Sequence, residues 1–152
     1  MSSVGANANL LVGVMPDDTG SIPQDQMALL QQLGDWIRRC YSPSAYAVNA
    51  SGEKATLTLN FAQPTVIDRV ILQEDQGQGA RVLAYEIEVL PPSGYAVQWI
   101  AGGGGQAVGN KRIHFLSNGP IPLLSLRVTA TKMAPGFSTI AWKNVAALAP
   151  CE

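Results

Sequence analysis

Charge is scarce in this sequence, and sulfur and imidazole are scarcer still. Of 152 residues 14% are charged, ten basic against eleven acidic, for a net charge of −1. Only Arg38-Arg39 and Lys111-Arg112 set two basic residues side by side. A nucleic-acid or anionic-membrane binder needs a broader basic patch, so neither partner is expected. Apolar runs stay well short of the ~18 residues that span a bilayer. Met1 to Leu10 is polar and small, without the basic flank and apolar stretch of a secretory signal. Two cysteines and one histidine cannot supply the roughly four Cys/His ligands of a structural zinc site, and no cofactor is expected. Cys40 and Cys151 either close one long loop or stay reduced, and spacing alone leaves both open.

Apolar residues are plentiful, at 47%, so the chain can bury a core; fifteen glycines and ten prolines promise many turns. The length suits one domain, or one domain with a short appendage. Composition shifts near residue 50: residues 1–52 carry two basic and four acidic side chains, residues 53–152 eight and seven. In the first part Leu10-Leu11-Val12-Gly13-Val14 is apolar without alternation, the pattern of a strand buried on both faces. Turn residues Pro16 to Gly20 end it. Ser21-Ile22-Pro23-Gln24 fits a capping box with proline in the first turn. Leu29, Leu30, Leu33, Trp36, Ile37 and Cys40 then recur at helical spacing, and Ser42-Pro43 stops the helix.

Beyond residue 53 the period falls to two. Leu57, Leu59 and Phe61 alternate with polar neighbours, as do Tyr85, Ile87 and Val89, and Leu124, Leu126 and Val128. Further strands are expected at 66–73, 95–101, 111–117 and 139–146. Seven short strands with one polar face describe an antiparallel sandwich or jelly roll. The chain therefore divides into a strand–helix unit, 1–52, and a β-sandwich, 53–152.

Several motifs tempt a chemical reading. Gly102 to Lys111 resembles a phosphate loop, but Asn110 separates Gly109 from Lys111 and strand-like residues follow, so a hairpin loop is expected. Asp17 and Asp18 are adjacent carboxylates at a strand end, better suited to a turn than to flanking one substrate. His114 has no G-x-S-x-G elbow to serve and reads as an ordinary strand histidine. Tyr95, Trp99 and Trp142 have rings that can stack on sugars, but their alternation favours the core. Asn49-Ala50-Ser51 is an N-glycosylation sequon, which places Asn49 at the surface. Glu74, Arg81, Lys111 and Arg112 end apolar strands; they suit either a grip on a hydroxyl-rich or anionic ligand or an ion-pair network between loops.

Together these segments resemble the C-terminal end of α-L-fucosidases. Asn9 to Pro23 resembles the last-strand signature of that family's barrel. Leu33-Gly34-Asp35-Trp36-Ile37-Arg38-Arg39-Cys40-Tyr41 with Ser44-Ala45-Tyr46 resembles its closing helix. Val70-Ile71-Leu72-Gln73-Glu74, Gly77-Gln78 with Arg81-Val82, and Val108-Gly109-Asn110-Lys111-Arg112-Ile113 resemble the appended discoidin-like, galactose-binding-like domain. The resemblance implies a mainly β chain, a jelly-roll sandwich preceded by one strand–helix unit left over from a (β/α)8 barrel. It implies a parent activity, hydrolysis of terminal α-L-fucose from glycoconjugates by a retaining mechanism with an Asp nucleophile and a Glu acid/base. Neither residue maps onto this sequence, and a whole barrel takes about 250 residues, so the chain by itself is expected to be non-catalytic. The implied partners are a fucosylated or galactosylated glycan and the missing barrel portion. The implied setting is secreted, lysosomal or periplasmic. Only Ala47 to Lys54 stand where the family's sandwich carries a long lead-in, which leaves a sheet edge open to a second copy of the chain. The alternative reading is a stand-alone carbohydrate-binding or protein-interaction module.

Overall fold

A computed structural model describes residues 3–92 and 98–151. The expected alternation produces two four-stranded antiparallel sheets packed face to face. One runs in the order β1 (Tyr46–Glu53), β8 (Ala141–Leu148), β3 (Arg69–Glu74), β6 (Arg112–Phe115); the other runs β2 (Thr56–Ile67), β7 (Ile121–Met133), β4 (Val82–Leu90), β5 (Ile100–Gly105). Leu57, Leu59, Tyr85, Ile87, Val89, Leu126 and Val128 point inward and meet Val70, Leu72, Val145 and Ala147 from the facing sheet. The outward face of the second sheet is polar, with Arg127 held to Glu88 by two hydrogen bonds of 2.6 and 3.0 Å. This is the mainly β jelly-roll sandwich that the pattern implies.

Four strand expectations need correction. Residues 47–54, expected only to link the helix to the first strand, mostly belong to β1, which pairs with β8 from Tyr46↔Leu148 to Glu53↔Ala141. Its sequence, rich in Ala, Asn, Ser and Gly, lacks a strand's usual signature because it is an edge with one ladder neighbour. The run 66–73 is two strands, since Asp68 separates β2 from β3. In the expected strand 95–101, residues 95–97 lie outside the described residues, and β5 begins only at Ile100. The run Gly102 to Gly105 is not a hairpin loop but the body of β5, paired with β4 from Gly105↔Tyr85 to Ala101↔Glu88. Close approach explains its composition: a Cβ would stand 2.9 Å from Val89 at Gly102, 2.1 Å from His114 Nε2 at Gly103 and 2.7 Å from Tyr85 O at Gly104. Gly103 also has φ +140, which disfavours any other residue.

Ahead of the sandwich stands helix α1 (Gln24–Tyr41), closed by Ser42 in an extended conformation before Pro43, as expected. The capping box does not form. Ser21 is tied instead into a turn, its N–H donating to Asp17 Oδ1 at 3.0 Å and its carbonyl accepting from Asp17 N–H at 2.8 Å, and Pro23 precedes the first helical residue. The segment Leu10–Val14 pairs with no strand among the described residues. A strand buried on both faces needs neighbours on both edges to satisfy its backbone, and this chain brings none alongside it. Residues nearer the start do join a sheet: Ala6 bridges Arg112, and Ile113 N–H donates to Gly5 O at 2.9 Å.

Helix and sandwich meet at the helix C-terminus. Tyr41, Ala45 and Tyr46 cover Ile71, Ala146 and Leu148 on the outer face of the first sheet. Cys40 and Cys151 are bonded, with Cα atoms 5.6 Å apart and a sequence separation of 111. Closing so long a loop takes roughly 4–5 kcal/mol of freedom from the unfolded chain on the loop-entropy account. Arg69 completes the joint: it is 3% exposed, its Nη1 donates to both Asp68 carboxylate oxygens at 2.7 and 2.8 Å, and its Nη2 donates to Cys40 O at 3.1 Å.

Candidate functional site

Of the four strand-end residues, two share one end of the sandwich. Glu74 closes β3 and is 2% exposed. Its Oε1 accepts the backbone N–H groups of Arg81 and of Val82, the latter at 3.1 Å, while its Oε2 is buried without a hydrogen-bond partner. The carboxylate thus pins the start of β4 to the end of β3 across the loop 75–81. Arg81 extends along the same end. Its Nη2 donates to Gln78 Oε1 at 3.0 Å, its Nη1 stands 3.6 Å from Glu53 Oε1, and its guanidinium lies 4.6 Å from the Phe137 ring centre. Glu53 also accepts from Thr139 Oγ1 at 3.1 Å. Glu53, Gln78 and Phe137 are solvent-exposed, so this end presents a carboxylate, an amide and an aromatic ring to water, around an Arg81 side chain that is only 9% exposed. That set can bind vicinal hydroxyls and stack on a sugar's C–H face. Sequence reasoning missed Glu53 and Phe137 because they come from β1 and the β7–β8 connection, far from Arg81 along the chain.

Lys111 and Arg112 go elsewhere and share no hydrogen-bond partner with Glu74 or Arg81. The backbone N–H of Lys111 donates to Asn7 Oδ1 at 2.9 Å, which fastens the N-terminal segment to β6. Arg112 lies opposite Leu72 and donates from Nη2 to Gln106 O at 2.9 Å. Its charge acts on two neighbours between the sheets, Tyr85 and His114, whose Oη and Nδ1 are 3.2 Å apart. Burial pushes the Tyr85 phenol above its ordinary range, with Arg112 opposing. Burial also lowers the His114 pKa, and Arg112 lowers it further, so the imidazole stays neutral. His114 is thus a packed strand histidine, with the Gly103 backbone against its Nε2.

The remaining motifs resolve as structure. Asp17 Oδ1 accepts from Thr19 N–H at 2.9 Å and Thr19 Oγ1 at 2.6 Å, a turn whose hydrogen bonds hold the carboxyl below its usual range. Trp142 is buried and donates its indole N–H to Lys54 O at 2.9 Å. The Trp99 ring lies 4.3 Å from the Arg127 guanidinium, and Tyr95 is outside the described residues. Asn49 is exposed on β1 beside Asn144. Among the described residues no group of three or more metal-ligating side chains comes together.

A second surface feature belongs to the leading segment. Leu10, Leu33, Trp36, Ile37 and Tyr41 join Val4 and Ile113 around an apolar groove of about 260 Å³. Along α1, Met27, Leu29, Leu33, Trp36 and Ile37 are all exposed, and Leu11 is 93% exposed. No Asp or Glu lines this groove or two other cavities, one beside the disulfide and one beside Leu29 and Leu30.

No protein-family model and no curated protein matches this chain. Solved structures do. A candidate α-L-fucosidase from Bacteroides thetaiotaomicron is similar over 98% of this chain and 32% of its own, at 31% identity and a TM-score of 0.87. A candidate α-L-fucosidase from Bacteroides ovatus is similar over 99% and 25%, at 26% identity and a TM-score of 0.77. A family 29 glycoside hydrolase, a fucosidase from Ruminococcus gnavus solved with fucose, shares the fold at 16% identity and a TM-score of 0.81, over 99% and 35%. The chain is structurally homologous to family 29 α-L-fucosidases and spans a quarter to about a third of their length.

Proposed function

We propose that this chain is a non-catalytic, C-terminal portion of an α-L-fucosidase, serving an enzyme that removes terminal α-L-fucose from glycoconjugates. The observation that carries the reading is the similarity over nearly the whole chain to about one third of a candidate fucosidase, at 31% identity. Retaining glycoside hydrolysis takes two carboxyl groups about 5 Å apart across the scissile bond. Four of the eleven acidic side chains are committed otherwise: Asp17 holds a turn, Asp68 and Glu88 pair with arginines, and Glu74 anchors backbone amides. In this reading the exposed face of α1 and Leu10–Met15 packs against the catalytic portion. On the same reading the chain divides into a barrel-derived piece and a sandwich, and the start of β1 at Tyr46 supports a division just ahead of that residue. The disulfide suits an oxidising compartment, hence a secreted, periplasmic or lysosomal enzyme.

The test is direct. The purified chain should release no 4-nitrophenol from an aryl α-L-fucoside, and measurable turnover would overturn the proposal.

A second reading has its own observation, the exposed Glu53, Gln78 and Phe137 gathered around the buried Arg81. In it the sandwich binds glycan through Arg81 and Glu74's end of the fold, with Arg112 and Lys111 outside the contact. A glycan array with fucosylated and galactosylated ligands separates the two. Specific binding lost in Arg81→Ala and kept in Arg112→Ala would favour a binding module, and an empty array would remove it.

A further inference from the structure

We propose that the Cys40–Cys151 disulfide is a redox clasp: its reduction by a dithiol frees helix α1 from the sandwich while both sheets stay folded. Three observations carry this. First, of the eighteen residues of α1 only Cys40 is buried. Leu29, Leu33, Trp36 and Ile37, which would anchor an ordinary amphipathic helix, face solvent. An amphipathic helix draws most of its stability from a packed face, and one of this length is marginal in water without it. Second, the bond joins the last turn of α1 to Cys151, three residues past the end of β8, so it bears on the helix and the chain end rather than on any strand pairing. The core between the sheets includes neither cysteine. Third, a cavity of about 260 Å³ lies against both cysteines and is walled also by Arg39 and Arg69. Cys40 is 1% exposed, whereas Cys151 is partly exposed. The cavity gives an incoming thiolate a path to Cys151, and Arg39 adds positive charge to its wall, whereas Arg69 is already paired with Asp68.

The exchange balances as follows. One thiolate of the dithiol attacks Cys151 Sγ, a mixed disulfide forms, and the Cys40–Cys151 bond breaks with its electron pair leaving on Cys40 Sγ, which takes up a proton. The second thiol of the reductant gives up its proton and attacks its own mixed-disulfide sulfur, releasing Cys151 as a thiolate that is protonated in turn. Two electrons and two protons pass from the dithiol to the protein, and the reductant ends as its disulfide. What then holds α1 is its last turns: the Arg69 bond to Cys40 O, the 5.0 Å stack of Arg69 on Tyr41, the packing of Tyr41 on Ile71, Ala146 and Leu148, and the open groove shared with Ile113. The inference rests on these contacts alone and does not require the fucosidase reading.

Hydrogen–deuterium exchange on the whole chain, oxidised and after treatment with dithiothreitol, tests it. Peptides within 24–41 should exchange at least about tenfold faster after reduction, while peptides from β3, β7 and β8 change less than about twofold. Cys151→Ser, which leaves Cys40 in place, should give the same pattern without reductant. Two results would overturn the proposal. One is unchanged helix exchange in a sample whose thiols are both shown free by alkylation and mass; the other is sheet exchange rising together with the helix, which makes the bond a staple of the whole fold.

Discussion

The sandwich and the segment before it contain similar proportions of apolar residues and treat them in opposite ways. Among the described residues, every buried hydrophobic one except Cys40 lies between Leu57 and Leu148, whereas eleven of the fifteen exposed large apolar side chains lie between Val4 and Ile37. Strands at 46–148 bring their own partners, since each inward side chain meets another from the facing sheet. The helix and the run Leu10–Met15 carry an equally regular apolar face but meet only across open grooves, which leave most of it exposed. Burial, and so stabilisation, depends on what lies across from a face and not on the regularity of the face itself.

Truncation separates the two regions most sharply. Leu126→Ala, in the middle of β7 between Leu59 and Val89, should cost about 2–5 kcal/mol in urea unfolding. Leu29→Ala on α1 should stay within about 0.5 kcal/mol. Equal losses at the two sites would mean that the helix face is covered in solution. Glycine substitutions draw the same contrast. Gly103→Ala forces a Cβ onto His114 at a strained φ and should lower stability by about 1–3 kcal/mol. Gly20→Ala meets nothing within 4 Å and bears only the penalty of φ +82, about 1 kcal/mol. Thermal unfolding of the pair checks this.

Polar anchoring comes next in size. Glu74→Gln keeps the shape but trades a charged acceptor for a neutral one beneath two backbone N–H groups, and should cost about 1–2 kcal/mol in the same assay. Asp35→Asn, which breaks the exposed pair with Arg38, should fall below about 0.5 kcal/mol. The smallest effect is a pH dependence. His114 binds its proton less well folded than unfolded, so below its ordinary value of about 6.5 the unfolded state holds more protons. Stability contributed by the neutral imidazole is therefore present above that pH and lost as pH falls through the window beneath it. Unfolding curves between pH 7.5 and 5.5 should show a decline that His114→Asn flattens; an identical decline in the variant would assign it to other groups.

Legibility in the sequence followed side-chain periodicity. Tyr85, Ile87 and Val89 declared an inward face by alternating with Glu86 and Glu88, and the structure buries the first three. Leu29 to Cys40 declared a helix. Elements without such a signal were missed: β1 because an edge strand need not be apolar, β5 because close approach to Val89, His114 and Tyr85 leaves room only for hydrogen at Cα. The candidate site was half legible. Strand-end charges singled out Glu74 and Arg81, but their association with Glu53 and Phe137, and the separation of Lys111 and Arg112 from them, follow from the sheet order.

Local pattern sufficed for the class of the fold, the span of α1 and most inward faces, because alternation and helical spacing are short-range records of where a chain meets water. Pairing across distance was decided only in three dimensions: β1 beside β8, the glycine strand against His114, Cys40 bonded to Cys151 across 111 residues. Those contacts depend on how the whole chain closes on itself, and no neighbouring residues encode them.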